Sequence, residues 1–530
     1  MVILPDRAWF QPDEPVTGRA DGDGWIEATR LGRTIVRAAV TDGRWDLGHL
    51  AVGGYGLEHV GIDGTVVTGA CQVADGRPRL FRYGFVADFP TDLDVGPLVD
   101  WACRLHLTAV QFYDWAYRHD RLVPATERYD DPLGRPLDLA SVRSLIAALR
   151  SAGIESLGYA AVYAFGRDTV ERWRSHALYH ADGRPWQLGE DFLWIADPSD
   201  EIWLGHLVEQ LAQARVVGFD GFHLDQYGWP KRAFTIDGDV VDLADALPAL
   251  VDRVRAAQPD ATLVFNNVND FPTASTALAD QDATYIEVWA PHDELRHLAD
   301  LAAGARRAAP ARPVVLSAYL SVYGTAAARD ADRCLELVMA TIWSSGASHL
   351  LCGESGAILT DPYYPRHHVA DDVTRDLLVR WYDFHVALGD LFSAPGEHDV
   401  TRTWFGGVNT EITVEGPVPT SVDPTPGTLW VRILDQPGGR VIHLVNLVGQ
   451  DETRWDHPKR PPVPVPGCRV NVELHTRTTP SVWCARPDLG PKLHPLPIGV
   501  DGDRLVIDID VEGPWVLLWI EDTAEDGPAS

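Results

Sequence analysis

No stretch of this chain reaches the roughly eighteen consecutive apolar residues that a bilayer-spanning helix needs. The opening residues, MVILPD, hold neither a basic segment nor a long apolar core, so they do not read as a secretion signal. Those two absences make the cytoplasm the expected location. There is no basic run of any length, and the formal net charge is -31. Nucleic acids and anionic membranes need a positive face to bind, so neither is an expected partner. The six cysteines show no C-x-x-C and no zinc spacing. Cys468 and Cys484 fall in one β-rich region and could pair, but buried free thiols are the simpler expectation. His367-His368 lacks a third ligand at metal spacing and reads as surface. No glycine-rich phosphate turn follows an early strand. No metal, nucleotide or flavin cofactor is expected.

What is present is an ordinary globular composition, with 45% hydrophobic and 23% charged residues over 530 positions. That length suits two to four domains. Tryptophan is abundant, at 19 residues. This suits a protein that stacks sugar rings, although large barrels also use tryptophan freely.

Residues 1–78 read as short strands with Asp-Gly turns, fitted most simply by an N-terminal β-sandwich of immunoglobulin-like type. From about residue 79 to 390 strand-like runs alternate with amphipathic helices. The strand candidates are 83–87, 108–113, 156–162, 221–225, 262–267, 285–289, 314–319 and 349–352. The helix candidates include 139–151, 202–216, 243–257, 295–308 and 330–345. Eight βα units in about three hundred residues predict a (β/α)8 TIM barrel. An open doubly wound sheet is the alternative, which the missing phosphate turn disfavours. Residues 391–530 return to strands interrupted by proline-rich stretches. They predict a C-terminal β-sandwich with a polar tail from Glu521 to Ser530.

A barrel presents its reactive groups at the C-terminal ends of its strands. That rule selects Asp88, Asp114, Trp115, Tyr163, Asp225, Gln226, Asn267, Asn269, Glu287, Trp289, Tyr319 and Glu354. Acids, amides and aromatics of this kind suit a neutral polyol site. The runs ending Phe222-His223-Leu224-Asp225 and Tyr285-Ile286-Glu287 each deliver a carboxylate. Paired carboxylates are what glycoside hydrolysis needs. The long connection 165–198, with Trp173, Trp186 and Trp194, is either a wall of the cleft or surface packing.

Several segments, in order, resemble glycoside hydrolase family 66, the dextranases and cycloisomaltooligosaccharide glucanotransferases. They are Arg82–Phe89 (RYGFVADF), Val110–His119 (VQFYDWAYRH), Phe219–Asp225 (FDGFHLD), Tyr285–Trp289 (YIEVW), His349–Glu354 with Tyr363-Tyr364-Pro365, and Val441–Leu447 with Trp455. The resemblance spans about residues 80–520. It implies that Asp225 is the nucleophile and Glu287 the general acid/base of a retaining glycosidase acting on α-1,6-glucan or isomaltooligosaccharide. The family's secretion signal is absent, and so is the carbohydrate-binding module that the cyclising enzymes insert in the barrel. The second absence tilts the reading towards hydrolysis.

For this chemistry Asp225 needs hydrogen-bond donors, expected from His223, Gln226 or Asn267. Trp115, Tyr163 and Trp289 are the expected stacking surfaces. Asp114, Asn266, Asn267, Asp293 and Glu354 are expected to bind sugar hydroxyls. Arg118 and His119 either reach the cleft or serve a salt bridge. Three rivals stay open. One is a transglycosylase forming cyclic or longer glucans, another a non-catalytic glucan-binding barrel, and the third a glycosidase of different linkage preference. No oligomeric state is read from the sequence.

Overall fold

A computed structural model describes residues 2–474 and 479–522. The expected polar tail lies almost wholly outside the described residues.

The centre is an eight-stranded parallel sheet of β1 (Tyr83–Val86), β2 (Ala109–Phe112), β3 (Glu155–Ala161), β4 (Gly221–Asp225), β5 (Thr262–Val268), β6 (Ala283–Glu287), β7 (Val314–Ser317) and β8 (Ser348–His349). The strands neighbour one another in chain order, and a parallel bridge between Phe85 and Gly353 closes β8 onto β1. The result is the expected barrel. Each predicted strand is found, with its ends moved by three residues or fewer. The largest shift is at β8, which stops three residues earlier than expected, while β6 starts and stops two residues earlier than its apolar run suggests.

The crossover helices are α1 (Gly96–Arg104), α2 (Leu139–Ser151), α3 (Glu201–Val217), α4 (Leu243–Ala257), α5 (Leu295–Ala308), α6 (Ala328–Ser344) and α7 (Asp372–Ala387). Asp138, Asp200 and Asp242 cap α2, α3 and α4 through side-chain bonds to the first free amides. Between β5 and β6 the helix shrinks to the single turn Thr273–Thr276. β4 begins at Gly221 for a steric reason. A Cβ there would stand 1.9 Å from the Thr262 carbonyl oxygen of β5.

Before the barrel, a four-stranded and a three-stranded antiparallel sheet share a core that includes Ile3, Phe10, Val16, Ile26 and Tyr55. After it, a seven-stranded and a four-stranded sheet enclose Ile412, Val431, Ile442, Val470 and Ile507. The other face of the larger sheet is fused to the barrel's helical layer, where Trp515 packs on Trp381, Phe384 and Phe392. All six cysteines are free thiols.

The connection after β3 folds into a three-stranded sheet of Ala164–Gly166, Gln187–Leu188 and Leu193–Ile195. Trp173 and Trp194 are buried in its own small core beside Trp203. Only Leu188 of this unit reaches the cleft described below, so the segment is a wall whose tryptophans support it from behind.

Candidate active site

The C-terminal mouth of the barrel opens into a cleft of about 540 Å³. Its floor is a tyrosine layer. Tyr83, Tyr159 and Tyr285 surround His223, with ring centroids 4.8–6.2 Å from the imidazole. Tyr113 stacks on Tyr364 at 4.2 Å. Burial pushes all these phenols well above their ordinary range, so they stay neutral donors. Burial also drives His223 down to about 3. The imidazole is therefore a neutral packing element whose Nδ1 lies 3.3 Å from the Tyr83 hydroxyl.

Side chains alternate across a strand. On β4 this turns His223 and Asp225 inward, and on β5 it turns Asn266 inward and Asn267 away. Asn266 pairs with Tyr285 in register, while Glu287 sits opposite Val268 and Ser317. The Asn266 amide Nδ2 donates to Asp225 Oδ1 at 2.7 Å and to Glu287 Oε2 at 3.0 Å. One nitrogen thus spans both acids, and the two oxygens are no farther apart than the sum of those distances, 5.7 Å. Tyr159 donates to Asp225 Oδ2 at 2.7 Å, and Tyr319 donates to Glu287 Oε1 at 2.6 Å. Burial first, and the charge of Glu287 second, push the Asp225 carboxyl up to about 7, against the pull of Asn266, Tyr159 and the Gln226 backbone N–H. Asp225 accordingly resists ionisation beside a charged Glu287.

Nine of the residues expected from sequence line this cleft: Tyr163, His223, Asp225, Gln226, Asn266, Asn269, Glu287, Trp289 and Tyr319. Trp289 keeps 38% of its surface exposed and leans on Tyr319. Tyr163 stacks with Tyr227. The expected donors to Asp225 need correction. The Gln226 side chain is spent on the Asn266 and Phe271 carbonyls, so only its backbone N–H serves the acid. His223 turns to Tyr83. Asn267 is wholly buried and fastens β5 to the Tyr285 carbonyl of β6, while Thr276 donates to its Oδ1.

Four more expectations fail for spatial reasons. Trp115 is 0% exposed, tilted on Phe219 with its indole N–H bonded to the Tyr159 carbonyl, so it has no free face for a sugar. Asp114 takes a left-handed turn (φ 47°) and does not line the cleft. Burial pushes its carboxyl up to about 7, and it acts on the Tyr159 and Tyr163 hydroxyls only through its charge. Asp293 is exposed near His297 and Arg454, and its carbonyl holds the Trp455 N–H of the C-terminal domain. Glu354 closes the barrel seam, accepting from the Ala87 and Asp88 amides, and burial raises it to about 7. His367 lies 4.0 Å from Glu354 and is half-buried rather than surface. Arg118 takes the salt-bridge reading, 3.6 Å from Asp168, and neither it nor His119 lines the cleft.

Sequence reasoning missed Tyr159, Trp229 and Lys231, whereas the strand-end rule did select Tyr319. Tyr159 lies two residues before the end of its strand, below the level that the strand-end rule inspects. Alternation on β3 would have found it, because Tyr159 shares a face with Ala161, which pairs with Asp225. Trp229 is 59% exposed, and Lys231 Nζ sits 5.8 Å from its ring and 4.9 Å from that of Phe271. Asn269 braces the rim, bonding the Trp289 N–H and the Ala290 carbonyl.

The family model described as "Glycosyl hydrolase family 66" matches residues 35–515. Two cycloisomaltooligosaccharide glucanotransferases of Niallia circulans are each 25% identical, over 62% and 46% of this chain. The matched segments cover 39% and 28% of those relatives, so the chain spans well under half of their length. Among solved structures, a Paenibacillus sp. cycloisomaltooligosaccharide glucanotransferase complexed with cycloisomaltoheptaose has the same fold. Its TM-score is 0.88 at 17% identity, with 98% of this chain and 99% of that one covered. A maltogenic α-amylase of Thermotoga neapolitana follows at TM-score 0.55 and 10% identity, covering 84% of this chain and 99% of its own.

Proposed function

The chain belongs to glycosyl hydrolase family 66, and on that premise we propose that it cleaves α-1,6-glucosidic bonds of dextran or isomaltooligosaccharides through a covalent glycosyl-enzyme. The observation that carries this reading is the single Asn266 amide bonded to two carboxylates at once. A retaining enzyme needs its acids about 5–5.5 Å apart, whereas an inverting one leaves about 6.5–9.5 Å for a water. The 5.7 Å ceiling on the bridged oxygens supports retention.

Asp225 is the nucleophile in this reading. Three donors converge on it (the Tyr159 hydroxyl, the Asn266 amide and the Gln226 N–H), and all three favour its ionised form against burial and the charge of Glu287. Glu287 is the general acid, oriented by Tyr319 and Asn266. It protonates the departing glycosidic oxygen while Asp225 bonds to C1. It then takes a proton from the incoming water, whose oxygen displaces Asp225 from C1. Trp289, Trp229 and the Tyr163–Tyr227 pair offer ring faces to the flanking sugars.

Transfer is the second reading, favoured by the curated relatives, both of which are glucanotransferases. There a glucan hydroxyl replaces water in the second step and the same residues act. Chromatography of products from dextran separates the two, with a ladder of linear isomaltooligosaccharides for hydrolysis and rings for cyclising transfer. Asp225→Asn and Glu287→Gln are each expected to fold and to lose several orders of magnitude in turnover. Near-normal turnover in either variant removes the assignment. First products seen by proton NMR should be α-anomers, and β-anomers would contradict the nucleophile.

A further inference from the structure

A second cleft, of about 620 Å³ and sharing no lining residue with the first, lies where α5 faces the edge of the larger C-terminal sheet. Its size is that of a small-molecule site, within the usual range of about 300–1,000 Å³. Six arginines and four carboxylates line it, a surplus of two positive charges on a chain whose overall charge is -31. Three of the carboxylates are already engaged. Arg306 holds Glu397, Arg402 holds Asp423 at 2.5 Å, and Asp399 lies 3.5 Å from Arg432 while also capping Thr401. Arg296 and Arg307 of α5 have no ion pair among the described residues.

Two guanidiniums converge on one serine at this wall. Arg306 Nη1 donates to the Ser345 carbonyl at 3.1 Å, and Arg432 Nη1 donates to the Ser345 hydroxyl at 2.6 Å. Arg432 is only 7% exposed, and its Nε is buried with no acceptor. A buried guanidinium nitrogen without a partner is unfavourable, and it leaves the Arg432 guanidinium under-satisfied by its own chain. Arginine forks match tetrahedral oxyanions in geometry as well as charge.

We infer that this cleft binds a phosphate-class oxyanion, either the free ion or a small phosphomonoester, seated against Arg306 and Arg432. Asp300 of α5 lines the same cleft and lies within electrostatic reach of Arg432. Its carboxylate opposes the anion and limits affinity.

The test is calorimetric titration of the full chain with inorganic phosphate and, separately, with glucose 6-phosphate, in chloride buffer at constant ionic strength. One saturable site is expected for at least one of them. Arg432→Met should weaken it by about tenfold or more, the loss of one charge-assisted bond. Asp300→Asn should tighten it several-fold. Asp300 is exposed and has no ion pair among the described residues, so that variant keeps the test alive should Arg432→Met fail to fold. Tighter binding of the ester would identify a phosphorylated metabolite as the ligand, and equal or tighter binding of inorganic phosphate would identify the free ion. No saturable binding of either, or binding that Asp300→Asn leaves unchanged, would overturn the site.

Discussion

Replacing Asp225 by asparagine should abolish turnover and, at alkaline pH, make the protein more stable. The folded-state carboxyl titrates near 7 against an ordinary value of 3.8. A carboxyl raised in this way holds a proton in the folded chain that the unfolded chain has already released. Between about pH 4 and pH 7 the folded state therefore binds more protons, and stability falls as pH rises through that window, levelling off above it. Three pKa units correspond to about 4 kcal/mol at most. The side chain keeps some solvent contact and accepts three hydrogen bonds, so roughly 2–4 kcal/mol is the working range. Asparagine carries no such cost: its one oxygen accepts from Asn266, and its NH2 faces the Tyr159 hydroxyl, which can rotate to accept. For a barrel of about three hundred residues, each kcal/mol moves the midpoint by roughly 1.5 °C. Scanning calorimetry should thus find Asp225→Asn melting about 3–6 °C above wild type at pH 8, with the gap closed near pH 4. Asp114 and Glu354, both also near 7, titrate identically in the two proteins and cancel. A variant that melts at or below wild type at pH 8, or a gap as large at pH 4, would refute the claim that this acid is held in the fold at a cost.

Tyr159→Phe removes one hydrogen bond to Asp225 without opening a cavity. It should lower kcat/KM by about 10–100-fold, the worth of one charge-assisted bond of roughly 1.5–3 kcal/mol, with unchanged Tm. Asn266→Ala removes the donor shared by both acids, so its loss in kcat/KM should exceed that of Tyr159→Phe, and a smaller loss would show that the bridge is dispensable. The two tryptophans should separate cleanly. Trp289→Ala should raise KM for long isomaltooligosaccharides with little change in Tm, whereas Trp115→Ala should lose about 3–5 kcal/mol of stability from an emptied core site. Glu354→Gln, which keeps an acceptor for the Ala87 and Asp88 amides, should be neutral or stabilising at pH 8 and leave kcat within a few-fold of wild type.

The barrel was legible because its strands are near-continuous apolar runs alternating with amphipathic helices, a local pattern that recurs along the chain. The two acids were legible because each ends such a run. Their neighbours were not. Asn266 and Asn267 are adjacent and chemically identical, yet one bridges both acids and the other is buried in the barrel wall. A strand-end rule ranks residues by position along the chain, whereas access to the cleft depends on the face each one occupies. Trp115 was misread for the same reason, since an aromatic just past a strand end packs as readily on Phe219 as on a sugar. Tyr159 was missed because a long side chain two residues below the rim can still reach a carboxylate at the rim.

Order along the chain was enough to give the family, the barrel and the pair Asp225 and Glu287, because each is written in a contiguous motif. The partners of that pair come from β3, β5 and β7, and no local pattern says that Tyr159, Asn266 and Tyr319 will meet there. Strand register and the inward or outward sense of each pleat bring them together. Both are fixed only when the sheet closes on itself and every side chain must choose between the core, the wall and the cleft.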